Sequence, residues 1–597
     1  MKKIYTHIGI WLSLMLHGSL ACGTPQGKEP SDEVVAHITA VDALERQIST
    51  DSKRKEGDRY VGLFYFTWLG QHRGGQQGIF DISVLSKTNR SALFNRSGTP
   101  ESPLGQYHFW GEPLYGYYDS SDPWVITRHI ELLTMAGIDY VLLDATNSFY
   151  YPEVVTKLLD RLLEFKAQGW PVPAVGFYTN SHSGSTVKRI FEHFYRDGRY
   201  ADAWFKPCGK PLIIGITPHN KGASDQTVGG SFTDFVSEEL ADLFDVRESQ
   251  WPTGHYHAQA FPWISWDYPQ RIHQGVVSVS VAQHSPVNIV FSDTVHTRGR
   301  GYDAIRKRNM LSGIPSGLNF QQQWETVFSR ERQIENVFVT GWNEWIAIKS
   351  ADAEKVFFVD SYNEEFSRDI EMMKEGYGDN YYLQLIANVK RFKYAAGDRR
   401  RSVLKTIDIL DVDETQWEGV TAHFRDFEGD ALPRNYPDFS GTGVYRDTSN
   451  RNDITDIKVA NDDRNVYVYI RTKAPISTYN GTDMNWMNVF IGTDDGSGED
   501  FGGFNYVINR FPKADHTTSV ERSKGGYDWT RSGVAQYRVS GAVMQLSIPR
   551  SSLGLTAERT AFRIKVADNV TKQEDIMDYY VSGDSAPIGR LAYAYTN

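Results

Sequence analysis

The run Val337-Phe338-Val339-Thr340-Gly341-Trp342-Asn343-Glu344-Trp345-Ile346-Ala347 decides the fold of this chain. It opens on apolar, β-branched residues and ends on an amide, a carboxylate and two indoles. The opening and the bounding Gly341 predict a buried strand that stops where polar groups appear. Such a strand end suits sugar chemistry. Indoles cover the apolar face of a sugar ring, and a carboxyl exchanges protons with a glycosidic or hydroxyl oxygen. Glu344 reads equally as a half-buried carboxylate capping the next turn, so the rest of the chain must decide.

Working back from this strand, residues 60–68, 138–144, 174–179, 211–216, 244–250, 261–267 and 275–283 read as further strands. Helical patterns stand between them at 123–136, 152–168, 232–243, in the stretch reaching Arg196, and in a segment through Phe328 and Glu331. Asp122 and Pro123 mark one helix start, as N-cap and first helical residue. Eight strands, each followed by a helix or long loop, predict an α/β chain with a closed (β/α)8 TIM-type barrel over residues 56–397. The first strand is not followed by a glycine-rich phosphate motif, which counts against a dinucleotide-binding sheet.

Beyond Gly397 the pattern changes. Asp398-Arg399-Arg400-Arg401 opens a charged hinge at 398–407, and short β-rich runs separated by Gly, Asp and Asn follow. Residues 408–597 are predicted to be an all-β sandwich. A length of 597 residues fits two or three domains. The net charge of -11 argues against a nucleic-acid partner.

At the other end, Lys2 and Lys3, an apolar core and Ser19-Leu20-Ala21-Cys22 predict a secretory signal over residues 1–22, too short to span a membrane. Its last residues resemble a bacterial lipobox, which makes Cys22 the lipidated first residue of the mature chain; an ordinary cleaved signal with an incidental cysteine is the alternative. Residues 23–55 then read as a tether. The expectation is a membrane-anchored lipoprotein at the outer membrane, on the cell surface or the periplasmic face.

Functional groups of a (β/α)8 barrel gather at the C-terminal ends of its strands. Those ends and the loop after the first strand offer Tyr65, Trp68, Glu112, Tyr118, Asp119, Asp144, Asn147, Tyr178, Asp267, His284, Asn343 and Trp345 beside Glu344. Such a polar, aromatic rim suits a neutral, hydroxyl-rich ligand. Several members have plainer readings: Asp144 as a helix cap or ion-pair partner, Asp267 as a turn residue, His284 as a satisfied rim histidine. No His/Cys/Asp spacing reads as a transition-metal site, and no Gly-x-Ser-x-Gly elbow is present. No cofactor is expected. Residues 494–500 have the oxygen density of a calcium loop without EF-hand spacing, so structural calcium in the C-terminal region stays open beside an acidic turn.

The segments Gly116-Tyr117-Tyr118-Asp119-Ser120-Ser121-Asp122-Pro123, Asp139-Tyr140-Val141-Leu142-Leu143-Asp144-Ala145-Thr146-Asn147 and Gly341-Trp342-Asn343-Glu344-Trp345 resemble the barrels of glycoside hydrolase families 71 and 99. The likeness extends to the family 71/99-like proteins of Bacteroidetes, where residues 358–370 also fit. The family 99 pattern places a second glutamate, the general acid, at the position of Ala347, and alanine donates no proton. The resemblance therefore implies a glycoside hydrolase acting on a polysaccharide or oligosaccharide, but not family 99 specificity. Hydrolysis needs two facing carboxyl groups, and the strand ends nominate Glu344 with Asp144. Burial against indoles should raise the Glu344 pKa and make it the acid. A non-catalytic glycan-binding lipoprotein is the alternative. The C-terminal region resembles family 9 carbohydrate-binding modules, through residues 458–470, Trp417 and the late strand 562–567, with Trp486 and Trp529 as either stacking platforms or core.

Overall fold

The computed structural model describes residues 35–50, 53–76, 78–219, 234–284, 290–291, 297–396, 402, 404–493, 496, 498–555 and 560–597. Cys22 and the signal segment, the charged run 398–401, and Asp494, Asp495 and Ser497 of the acidic turn lie outside the described residues.

The eight expected barrel strands form as β1 (Tyr60–Tyr65), β2 (Tyr140–Ala145), β3 (Ala174–Thr179), β4 (Leu212–Gly215), β5 (Asp245–Gln250), β6 (Phe261–Pro262), β7 (Val276–Val279) and β8 (Asn336–Val339). They pair in parallel in the order β7-β8-β1-β2-β3-β4-β5-β6. Strand β6 returns against β7, so the sheet curls into a nearly closed barrel.

The period-2 alternation of strands explains the filling. Phe64, Tyr140, Leu142, Tyr178, Ile214 and Phe338 form one cluster, drawn from adjacent strands and enclosed by them. Their sequence neighbours Leu63, Val141, Leu143, Phe177, Ile213 and Val337 belong to a second cluster shared with the surrounding helices. Gly62 is dictated by this filling. A Cβ there would lie 2.0 Å from the Tyr140 ring, whose hydroxyl donates to Asn336 Oδ1 at 2.9 Å.

Helix α1 (Pro123–Met135) starts where Asp122 accepts from the Trp124 amide at 3.0 Å, as expected of an N-cap. Helix α2 (Pro152–Ala167) buries Val154, Val155, Leu158, Leu159, Leu162 and Phe165, one apolar stripe at helical spacing. The helix expected over 232–243 is shorter. Among the described residues of that stretch only Glu238–Ala241 is helical: Ser237 caps its start and β5 already begins at Asp245.

The β-rich C-terminal part supplies eleven strands of a twelve-stranded antiparallel sheet among the described residues; the twelfth is Ile38–Thr39. The sheet's inward residues, including Val466, Val468, Ile470, Val489 and Ile564, share a core with the barrel helices. Polar ties reinforce the join: Arg434 Nε donates to Asp122 Oδ2 at 2.9 Å and Arg590 Nε to Asp379 Oδ2 at 2.8 Å. Trp486 is buried and donates to the Ser477 carbonyl, so of its two readings the structure selects the core. The tether expected over 23–55 is also corrected from residue 35 onward. Ile38 is fully buried, and Ile38 and Thr39 pair with Tyr593 and Ala592, covering a sheet edge.

One small sheet shapes the barrel mouth. Strands Tyr107–Phe109, Ile346–Ala351 and Val356–Val359 pair in antiparallel fashion directly after β8. This hairpin carries the chain out from the strand end and back over it.

Candidate active site

The polypeptide leaving β8 is fastened before it reaches Glu344. Asn343 Oδ1 accepts from the Phe66 amide at 2.9 Å and its Nδ2 donates to the Phe66 carbonyl at 3.0 Å, tying this end to the end of β1. The Trp345 amide then donates to the Asn343 carbonyl at 3.0 Å. That closes a three-residue turn with Glu344 at its apex. Asn343 and Trp345 fall on the core side of the turn. Glu344 lines a cleft of about 320 Å³ at the C-terminal mouth of the barrel.

Among the described residues, three carboxyl groups line this cleft: Glu344, Asp144 from the end of β2, and Asp360 from the end of the rim hairpin. Arg368 links two of them. Its Nη2 donates to Glu344 Oε2 and lies 3.4 Å from Asp360 Oδ1, while Nη1 donates to the Asp360 carbonyl at 3.0 Å. The guanidinium also lies 4.9 Å from the Trp263 ring centre. His284 Nε2 stands 2.8 Å from Arg368 Nη1. The same Nε2 lies 3.3 Å from Asp360 Oδ1, so it faces a donor and an acceptor at once. Burial first, then Arg368, pushes the His284 pKa down to about 4.

Burial raises the Glu344 carboxyl well above its ordinary range; Arg368 opposes the rise, while Asp360, Asp369 and Asp144 add to it. Asp144 is also raised by burial, against the two bonds its Oδ1 accepts from Thr146. In Asp360 burial is outweighed by His284 and Arg368, and the carboxyl lies below its usual value. Asp360 has a φ of 72°, a left-handed conformation that aspartate tolerates better than most side chains. Behind them Asp369 is fully buried, and burial pushes its carboxyl up to about 6.

Of the expected site residues, the structure brings together Glu344, Asp144, Trp68, Asn147 and His284. The other eight have different places. Tyr65, Tyr118, Asn343 and Trp345 belong to a buried network centred on Glu371. Tyr118 donates to Glu371 Oε2 at 2.7 Å, as does Trp345 Nε1 at 2.5 Å. His129 Nε2 meets Glu371 Oε1 at 2.8 Å and holds Tyr65 through Nδ1 at 2.8 Å. Trp345 stacks on Trp110 at 4.1 Å, both fully buried. The indoles beside Glu344 in sequence thus serve the core, and those lining the cleft are Trp68, Trp251 and Trp263. Tyr178 fills the barrel and donates to the Phe261 carbonyl. Asp119 is buried and pairs with Arg73, Glu112 pairs with Lys374 on the surface, and half-exposed Asp267 pairs with Arg271.

Sequence reasoning missed Asp360, Arg368, Trp263, Tyr107 and Tyr151, all lining the cleft. Asp360 and Arg368 lie in the 358–370 segment of the resemblance, but neither stands at the end of an expected barrel strand. Trp263 sits four residues before the strand end chosen from the sequence, because β6 stops at Pro262.

No family model and no curated protein sequence matches the chain. Among solved structures, it is similar to a GH99 endo-α-mannosidase from Bacteroides thetaiotaomicron, at 15% identity over 56% of this chain and 98% of that one, with a TM-score of 0.31. The bis-tris-propane complex of a GH99 endo-α-mannosidase from the same organism matches at 17% identity over 56% of this chain and 98% of that one, TM-score 0.29. A glycoside hydrolase-like protein matches at 12% identity over 60% of this chain and 99% of that one, TM-score 0.31.

Proposed function

We propose that this protein is a glycoside hydrolase whose substrate, a polysaccharide or oligosaccharide, binds at the barrel mouth. The observation that carries this reading is that Glu344 and a second carboxyl group, Asp144, line the same cleft. Trp68, Trp251, Trp263, Tyr107 and Tyr151 supply the flat apolar faces on which sugar rings stack, and Asn147 and Thr146 supply polar contacts.

Burial raises Glu344 well above its ordinary range, so in this reading it holds a proton and protonates the departing glycosidic oxygen. Asp144, more exposed and accepting two bonds from Thr146, acts as the base or the nucleophile. Arg368, Asp360 and His284 touch Glu344 or each other and keep its carboxyl aimed into the cleft. Lipid anchoring through Cys22 would hold this cleft at a membrane surface, where polymeric glycans are met.

A second reading has its own support: Ala347 lines the cleft where the resemblance expects an acid. In that reading the protein binds glycans without cutting them. Incubation of the purified protein with a polysaccharide panel, beside Glu344→Gln and Asp144→Asn variants, separates the two. Release of reducing ends by the wild type and its loss in both variants supports the hydrolase. Retention of glycan by all three proteins without release supports the binder.

A further inference from the structure

Away from the cleft, where barrel and C-terminal sheet meet, five carboxylates crowd together. Glu131 comes from α1, Asp426 and Asp430 from the turn after strand Ala422–Arg425, Asp453 from just before strand Ile454–Asn461, and Asp584 from strand Asp584–Ala586. Glu131, Asp426, Asp430 and Asp584 are each no more than 3% exposed. Asp453 is half-buried.

Few partners answer them. Arg128 Nη1 meets Glu131 Oε2 at 3.0 Å and Asp430 Oδ2 at 3.2 Å. Asp453 Oδ2 accepts from the Gly429 amide at 2.8 Å, and Asp584 Oδ2 from the Ile454 amide at 2.6 Å. Lys565 is buried nearby but donates to the Pro587 carbonyl. One oxygen on each of Glu131, Asp430, Asp453 and Asp584, and both on Asp426, have no hydrogen-bond partner. The Phe427 amide lies near Asp426 but without bonding geometry. Ligand oxygens of Glu131, Asp426 and Asp430 lie within 4.8 Å of one another, and so do those of Asp430, Asp453 and Asp584.

A buried carboxylate oxygen with no donor facing it is costly unless a cation meets it. Among the described residues, two buried cations, Arg128 and Lys565, stand among the five carboxylates, with Arg161 and Lys473 acting from the more exposed side. None of them meets the unpartnered oxygens, which a dication would. The available ligands are all carboxylate oxygens, with no imidazole or thiolate, which is the donor set of a hard ion such as calcium rather than zinc.

We propose that these five residues form a calcium-binding site that fastens the barrel to the C-terminal sheet, with Asp430 shared between the two halves of the donor set. The proposal is independent of the chemistry in the cleft. It also differs from the 494–500 turn that the sequence suggested for calcium.

The competing arrangement keeps the cluster neutral with protons instead of metal. Burial and like charges push Glu131 up to about 8 and Asp453 up to about 7. The two are separated by stripping the purified full chain with EGTA, then titrating it with calcium chloride in a calorimeter and in thermal unfolding. Magnesium chloride serves as the control. The expected result is a saturable heat and a rise in Tm with calcium, and an affinity at least about tenfold weaker in Asp426→Asn. If that variant does not fold, Asp453→Asn on the half-exposed side gives the same comparison. Wild-type protein that shows neither heat nor a Tm shift overturns the proposal. So does calcium binding that both variants leave unchanged, since the ion then sits elsewhere.

Discussion

Arg368 and Glu344 are joined by an ion pair whose side chains are 1% and 5% exposed, and the pair closes the inner wall of the cleft. Arg368 Nη2 also lies 3.4 Å from Asp360 Oδ1, whose carboxyl sits below its usual value, so removing the guanidinium strands that charge. Arg368→Ala is therefore expected to destabilise the protein by about 3–5 kcal/mol near neutral pH. Below the Asp360 pKa the deficit should shrink, because protonated Asp360 no longer needs the guanidinium. Urea unfolding at several pH values measures both effects. A deficit that stays constant with pH would place its origin in lost packing against Trp263.

His284 supplies a pH dependence of definite sign. Its pKa of about 4 in the folded protein lies below the ordinary value near 6.5. Between these values the unfolded chain binds more protons, so this residue makes stability fall as pH drops from about 6.5 to about 4. The full contribution is about 3 kcal/mol. His284→Gln should flatten the difference between unfolding free energies at pH 7 and pH 5. Equal slopes in variant and wild type would show that the imidazole titrates alike in the folded and unfolded chains.

The two classes of tryptophan should separate cleanly. Trp345 is fully buried, stacked on Trp110 and bonded to Glu371, so Trp345→Ala should cost about 3–5 kcal/mol of stability. Trp68 is partly exposed and lines the cleft. Trp68→Ala should leave Tm within a few degrees of wild type and weaken glycan binding by about tenfold, the loss of one stacking platform. Thermal unfolding and affinity electrophoresis on the same two proteins give the comparison. An unfolded Trp68→Ala would mean that the indole holds the mouth together.

Inside the barrel, Gly62→Ala drives a methyl group into the Tyr140 ring. Overpacking of this kind costs about 1–3 kcal/mol or more. Tyr140→Leu in the same chain should recover part of that loss, because the ring is what the methyl meets. A double-mutant cycle by chemical unfolding reads the coupling. Purely additive effects would mean that the backbone of β1 has moved instead.

Most of the barrel was legible in the sequence. Each strand of a parallel sheet is a short apolar run closed by turn residues, and each such run from residue 60 to Val339 became one strand in the expected place. The Asp122 cap followed from two adjacent residues. The cleft was legible in part: Glu344, Asp144, Trp68, Asn147 and His284 were all read from strand ends or the residues just beyond them.

What the sequence alone determined about this protein was local, namely where strands start and stop and which polar residues stand at their ends. Tertiary structure decided which of those residues face the cleft. Asn343, Glu344 and Trp345 are consecutive, yet a three-residue turn sends Glu344 to the cleft and both neighbours to the core. Arg368 and Asp360 reach Glu344 only because the rim hairpin folds back over β8. Gathering five carboxylates takes a barrel helix and separate segments of the C-terminal sheet. Local periodicity encodes the alternation of side chains within one element. It does not encode the long-range packing that pairs charges from different elements, and that packing made both sites.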